Sequence, residues 1–290
     1  SDQVIKRFGL AGRHRRGRAL AVHPGPDGVR VETTLGPLRA DRVVLAVGQP
    51  APARPSWAPK HLPADRVAHC LAPGFDRDAW TGRGPVAVVG GGLTGAQLAL
   101  ALEAEGTPVL HLRRHPWRVH LFDSDPGWIG PKHMAAFSRE PDLVKRRAMI
   151  QAARHRGSLP GGVLRRLQGR QRDGAMTLVR DEVQGLELTE RGVRLHLSQG
   201  PREVSGVLLA TGFEAGPPGG ALVADLVRQG LPTAPCGFPR VDKALRWHPR
   251  VHVTGGLAEL ELGPTARNLT GARRAADRIL PTATAQASAA

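Results

Sequence analysis

Short apolar runs bounded by turn residues, rather than long amphipathic stretches, organise this chain. Val86 to Val89 lie between Pro85 and Gly90 and read as a short buried strand. An alanine- and leucine-rich run follows over residues 93–105 and reads as a helix, with Gly106 placed to close it. Residues 109–112 then read as a second strand, so the segment is a βαβ start. Residues 86–102 carry no charge and are long enough to raise the question of a membrane span. Three consecutive glycines with Thr94 and Gln97 inside the run break it into strand, turn and helix instead.

The same patterning contains a repeat. VRVETTLGPLRADRVVLAVGQ from Val29 aligns without a gap to VRLHLSQGPREVSGVLLATGF from Val193. Gly36-Pro37 falls on Gly200-Pro201, Val43 to Ala46 on Val207 to Ala210, and Gly48 on Gly212. Each copy reads as strand, turn, strand and a small residue before glycine. Two unrelated hairpins would not be expected to share the closing LA(V/T)G. Because the second copy lies downstream of the glycine turn at 90–95, symmetry asks for another such turn upstream of the first copy. The repeat offset puts it roughly 74 residues before Ser1, so the chain is expected to begin inside its first domain.

The turn itself carries chemistry. Gly90, Gly92 and Gly95 have GxGxxG spacing, with Gly91, Leu93 and Thr94 between them. The first glycine permits a tight turn, the second lets the backbone approach a pyrophosphate, and the third lets helix and strand pack closely. The helix N-terminus offers unpaired N–H groups to the anion. GxGxxG alone is a weak signal; between a strand and a helix, with a second strand following, it points to a dinucleotide. That second strand ends in Arg113 and Arg114 where NAD-binding turns place an acidic residue, so the preferred dinucleotide is NADPH.

Composition alters this picture little. At 290 residues the chain has room for two domains and a sizeable core. The formal net charge of +16 invites a nucleic-acid reading. Nearly all the cations are arginine, however, while Ala, Gly and Pro are abundant and Asn268 is the only asparagine. A compositional bias accounts for that profile, and nucleic acid is not the expected partner. Cys70 and Cys236 form no CxxC, which excludes a thiol redox motif and a zinc site of that type and fits a cytoplasmic protein. Neither HExxH nor GxSxG occurs, so no metal is expected and serine hydrolysis is disfavoured.

Two further stretches stand out. LFDSDPGWIGPKHMAAFSREPDLVKRRAMIQAARHRGSLP from Leu121 reads as a structured loop anchored by Trp128, followed by a helix over 141–156 with Pro141 at its first position. Arg146, Arg147, Arg154 and Arg156 face either a phosphate or solvent, solvent being favoured; Asp123 and Asp125 form either a catalytic carboxylate pair or turns, turns being favoured. Near the end, 251–254 reads as a strand, Gly255-Gly256 as a turn, and 264–280 as a helix opening at Pro264. Its dipole would then point beyond Gly263, a natural place for a flavin edge. The alanine-rich tail from Pro281 reads as frayed.

These motifs together carry a resemblance. The doubled LA(V/T)G hairpins, GGGLTG, DSDPGWIGPK, LLATGF and LGPTARNLTGA make the chain similar to the two-dinucleotide flavoproteins, and most similar to the lysine and ornithine N-hydroxylating monooxygenases. The resemblance implies an α/β fold in which a Rossmann-like NADP(H)-binding domain, 81–212, is inserted into an incomplete FAD-binding domain made from 1–80 and 213–290. It implies NADPH on Gly90, Gly91, Gly92, Leu93, Thr94 and Gly95 with Arg113 and Arg114 near the 2′-phosphate, and makes Thr211, Gly212, Gly255, Gly256, Pro264 and Asn268 further cofactor-binding candidates. It further implies hydroxylation of a small amine by a flavin hydroperoxide, with no side chain needed as a strong acid or base. The family's first, FAD-binding GxGxxG is absent from this sequence, and AVG stands where the family usually has ATG. The chain is therefore expected to hold FAD poorly by itself. A non-catalytic NADPH-binding module is the alternative.

Overall fold

The computed structural model describes residues 2–284. In chain order the elements are α1 (Asp2–Arg7), β1 (Ala19–Pro24), β2 (Val29–Thr33), β3 (Leu38–Ala40), β4 (Val43–Leu45), β5 (Val67–His69), β6 (Val86–Val89), α2 (Leu93–Ala104), β7 (Val109–Arg113), β8 (Arg118–Val119), α3 (Pro131–Arg139), α4 (Leu143–Ala153), β9 (Ser158–Leu159), α5 (Gly161–Arg172), β10 (Met176–Arg180), β11 (Val183–Leu188), β12 (Val193–Leu197), β13 (Arg202–Val204), β14 (Gly206–Leu209), α6 (Gly220–Arg228), β15 (Arg246–His248), β16 (Val251–Val253), α7 (Glu259–Leu262) and α8 (Leu269–Thr284). Contacts divide them into two units. The first comprises Ser1–Gly48, Pro217–Leu262 and Ala266–Ala290; the second comprises Gln49–Gly216 and Gly263–Thr265.

The second unit is built on a parallel five-stranded sheet in the order β10-β7-β6-β14-β5. Alternation along the strands sends Val86, Val88 and Leu208 into a core with Ala96, Ala99 and Leu102 of α2 and Leu167 of α5. Ala87, Leu110, Leu112, Val207 and Leu209 enter another core with Val193, Leu195, Leu197 and Val204 of the β11-β12-β13 meander. The sheet is thus covered on both faces, as parallel sheets require. Residues 49–80, read from the sequence as belonging to the first domain, lie in this unit because β5 pairs with β14 and Pro52 bridges to Phe213.

The first unit has the sheet order β15-β16-β4 and the meander β1-β2-β3. Its core joins Val22, Val29 and Leu45 to Trp247, Val251 and Val253, with Val223 and Leu226 of α6 and Ala275 and Ile279 of α8.

The repeat holds at the level of hydrogen-bond register. β1 pairs with β2 from Ala19↔Thr33 and slips between Ala19 and Ala21; β11 pairs with β12 from Val183↔Leu197 and slips between Val183 and Gly185. Val29↔Ala40 in β2-β3 matches Val193↔Val204 in β12-β13. The copies differ in what flanks the following strand. β14 lies between β5 and β6 and buries Leu208 completely, whereas β4 stands at the end of its sheet and leaves its counterpart, Val44, 47% exposed.

Three local readings are corrected. The helix expected over 141–156 spans Leu143–Ala153, because the Asp142 carboxylate accepts hydrogen bonds from the Val144 and Lys145 amides and caps it there. Arg146 and Arg147 are buried rather than solvent-facing: Arg146 donates to the Glu140 and Ser138 carbonyls and Arg147 to the Ala215 carbonyl. The helix expected to open at Pro264 does not; residues Pro264–Arg267 form a 3-10 turn, and α8 begins at Leu269, where the Asn268 side chain accepts from the Gly271 amide. α8 continues through Pro281 to Thr284, and the rest of the tail read as frayed lies outside the described residues. Among the described residues no helix is long and apolar enough to cross a membrane.

Candidate functional site

The glycine turn joins β6 to α2 at the carboxyl end of the parallel sheet. Gly90 has φ +145, and a Cβ there would stand 2.3 Å from the Ala210 carbonyl oxygen at the end of β14. A Cβ on Gly95 would stand 2.1 Å from the Gly90 carbonyl oxygen, so α2 packs against the turn at a distance that only glycine allows. Gly92 caps the N-terminus of α2 in extended backbone and faces Gly157, whose Cα would lie 3.2 Å from a Cβ at Gly92. Leu93 and Thr94 form the first turn of α2, whose amides make this end attractive to an anion.

The end of β7 approaches the turn from the side. The Gly90 amide donates to the Leu112 carbonyl, and the Cβ of Arg113 lies 3.0 Å from where a Gly91 Cβ would be. The Arg113 guanidinium lies 4.4 Å from the centre of the Trp117 ring and donates through Nη1 to the His115 carbonyl. Its Nε is buried with no partner. Burial and the nearby Arg180 both lower the Arg113 pKa from its ordinary value, so this cation is held under mild strain that an anion would relieve. Arg114 is more exposed, with Nε against His115 and a loose 3.9 Å pair to Glu182.

Thr211 and Gly212 follow β14 and join this neighbourhood through Ala210. The Thr211 hydroxyl donates to the Ala53 carbonyl and meets His69 Nε2 at 3.2 Å, while His69 Nδ1 accepts from the Leu71 amide. The Thr211 side chain is thereby engaged in holding 49–80 onto the sheet. Pro264 also belongs to the second unit, where its carbonyl accepts from Arg154.

Gly255, Gly256 and Asn268 lie in the first unit. Gly255, at φ +61, turns the chain out of β16, and a Cβ at Gly256 would meet Pro218 at 3.0 Å and Arg267 at 3.3 Å. Arg267 is paired at 2.9 Å with Glu259, which is fully buried. Among the described residues of this unit, no GxGxxG turn joins a strand directly to an α-helix. β16 leads instead into a 3-10 turn, Gly255–Ala258.

Of the two carboxylates in the 121–131 loop, that of Asp125 forms a turn. Asp125 accepts from the Gly127 amide at 2.7 Å and from His133 at 3.2 Å, and Trp128 is buried against Phe137. Burial raises the Cys70 thiol to about 11, which makes it a poor nucleophile. No cluster of metal-ligating side chains occurs among the described residues.

Three residues of the site are absent from the sequence reading. Arg180 ends β10 in register with Arg113, and only the order of strands reveals that neighbour. His111 and Trp117 stack with ring centres 5.6 Å apart, and His111 Nε2 lies 2.9 Å from the Gly90 carbonyl oxygen. A histidine between two leucines in a buried strand is the one local signal that would have pointed to this contact.

No model of a known protein family matches the sequence, and no curated protein matches it. Several solved structures do. The cadaverine monooxygenase of desferrioxamine biosynthesis from Erwinia amylovora, solved with FAD, is 19% identical with a TM-score of 0.72 over 92% of this chain and 68% of its own. Ornithine hydroxylase from Pseudomonas aeruginosa is 15% identical with a TM-score of 0.75, over 98% of this chain and 73% of its own. Ornithine N-hydroxylase from Kutzneria sp. 744, solved with reduced FAD, NADP+ and L-ornithine, is 16% identical with a TM-score of 0.71, over 96% and 74%. A bacillithiol disulfide reductase from Bacillus cereus is similar at a TM-score of 0.60 and 16% identity, over 98% and 76%. The likeness at these identities is one of architecture: the chain has the α/β fold of the two-dinucleotide flavoproteins.

Proposed function

We propose that this chain is an NADPH-using, FAD-dependent oxidoreductase of the N-hydroxylating type, acting on a small amine. The observation that carries the proposal is Arg113, held against Gly91 at the mouth of a strand–glycine turn–helix unit. Its setting is a fold shared with an ornithine N-hydroxylase solved with NADP+ and a cadaverine monooxygenase solved with FAD.

The residues of the second unit fit NADPH. The Gly91 and Gly92 amides and the start of α2 would meet the pyrophosphate. Arg113, with Arg114 and Arg180 beside it, would hold the 2′-phosphate, and the orphaned Arg113 Nε gives that phosphate a donor. NADPH when bound supplies a hydride. The chain's part is to orient the dinucleotide and keep water from it.

The described residues of the first unit do not fit FAD in the same way, since the glycine turn after β16 leads into a 3-10 turn and the four-residue α7, not directly into a long helix whose N-terminus would meet its pyrophosphate. NADPH as reductant and the free thiols Cys70 and Cys236 fit a cytoplasmic setting.

The test is NADPH oxidation by the purified chain with added FAD, under air, against diamines and basic amino acids, with chemical detection of hydroxylamines. Amine-dependent oxidation and a hydroxylamine product are expected. NADPH binding with no retained FAD and no oxidation would contradict the proposal and leave the non-catalytic NADPH-binding module.

A further inference from the structure

We infer that His111 is a positioning residue for the dinucleotide turn: by donating to the Gly90 carbonyl it fixes the peptide whose N–H, that of Gly91, faces the bound pyrophosphate. The inference rests on the NADPH reading of this site and goes beyond it.

His111 lies inside β7 between Leu110 and Leu112 and is completely buried. A polar ring persists in such a place when its hydrogen bonds serve the fold. The Nε2 atom lies 2.9 Å from the Gly90 oxygen, and a carbonyl can only accept, so Nε2 carries the proton. Burial lowers the ring's pKa to about 4, so the ring is neutral near pH 7 and Nδ1 is a bare acceptor. Nδ1 has no partner, so the bond to the turn is the polar contact the ring retains.

Three successive glycines have no side chains to restrain their peptides. A trans peptide is planar, with its C=O and the next N–H on opposite sides. Drawing the Gly90 oxygen toward the His111 ring therefore aims the Gly91 N–H away from that ring. The same ring stacks on Trp117, the indole that also carries the Arg113 guanidinium at 4.4 Å. One buried side chain thus sets the turn and supports the platform of the 2′-phosphate cation.

The test uses His111→Phe, which keeps the ring volume and loses the donor, and His111→Gln, which keeps a donor. Two ligands are titrated: NADPH, and adenosine 2′-monophosphate, which lacks the pyrophosphate. His111→Phe is expected to weaken NADPH by about tenfold and adenosine 2′-monophosphate by less than about threefold, with His111→Gln restoring most of the loss. Equal binding of NADPH by wild type and His111→Phe, or equal losses for both ligands, would overturn the inference while leaving the NADPH site intact. A wild-type chain that binds neither ligand would overturn the NADPH reading itself. Should His111→Phe fail to fold, the ring-nitrogen resonances of wild-type His111 carry the test. A shift on adding NADPH is required, and unshifted resonances overturn the inference.

Discussion

His111 and Gly95 show how much of this site depends on single atoms. The ring of His111 has an ordinary pKa near 6.5 when unfolded and about 4 in the fold. As pH falls, the unfolded chain takes up this proton first, so the contribution to stability is complete above pH 6.5 and is lost between pH 6.5 and 4. The full loss is about 3 kcal/mol. His69, His248 and His252 are lowered by burial too and act with the same sign. Urea unfolding at pH 7 and pH 4.5 is expected to show a smaller drop for His111→Phe than for wild type; equal drops would contradict the assignment. Gly95→Ala places a methyl 2.1 Å from the Gly90 oxygen. It is expected to destabilise the chain by about 1–3 kcal/mol in thermal melts and to abolish NADPH binding in titration. The role of Gly95 was legible in the sequence because it follows from spacing. The role of His111 was not, because it depends on how β7 and the turn lie in space.

Among the elements, those whose signals are local were read most directly. β6, the turn and α2 were legible because a buried strand, a glycine triplet and an apolar helix differ in pattern over a few residues. The meander repeat was legible for the same reason, and its shared register slips at Ala19 and Val183 extend it by one strand upstream in each copy. α5 and α6 were not anticipated; α5 is arginine-rich with only Leu167 buried, and its apolar stripe is thin. The burial of Arg147 was illegible too, since its partner, the Ala215 carbonyl, is brought to it by tertiary packing, while Arg146 turns back on the Ser138 and Glu140 carbonyls ahead of α4. The same holds for the 3-10 turn over Pro264–Arg267. Glu259 is fully buried, so Arg267→Ala removes the cation that pairs with its carboxylate in the core of the first unit. A loss of about 3–5 kcal/mol in denaturant unfolding is expected, with the double change Glu259→Gln and Arg267→Met far milder. Equal losses from the two variants would show that the ion pair is not the source.

At the scale of the whole molecule, the internal duplication links sequence, fold and function. Both copies build a meander and feed a strand into a sheet, but among the described residues only β14 has on its flank a strand, β6, that leads through a GxGxxG turn directly into a long α-helix. The proposed NADPH site therefore falls in the second unit, where the cations at 113, 114 and 180 gather at the ends of neighbouring strands. The sequence showed the first two and could not show the third. Calorimetric titration of NADPH and NADH into wild type, Arg113→Glu/Arg114→Glu and each single variant tests whether Arg113 holds the 2′-phosphate. Wild type is expected to prefer NADPH by more than about tenfold, the double variant to lose that preference while keeping NADH within about threefold, and Arg113→Glu to account for most of the loss. Equal affinity of wild type for the two dinucleotides, or equal losses for both in the double variant, would contradict the assignment of the 2′-phosphate to Arg113 and with it the NADPH site.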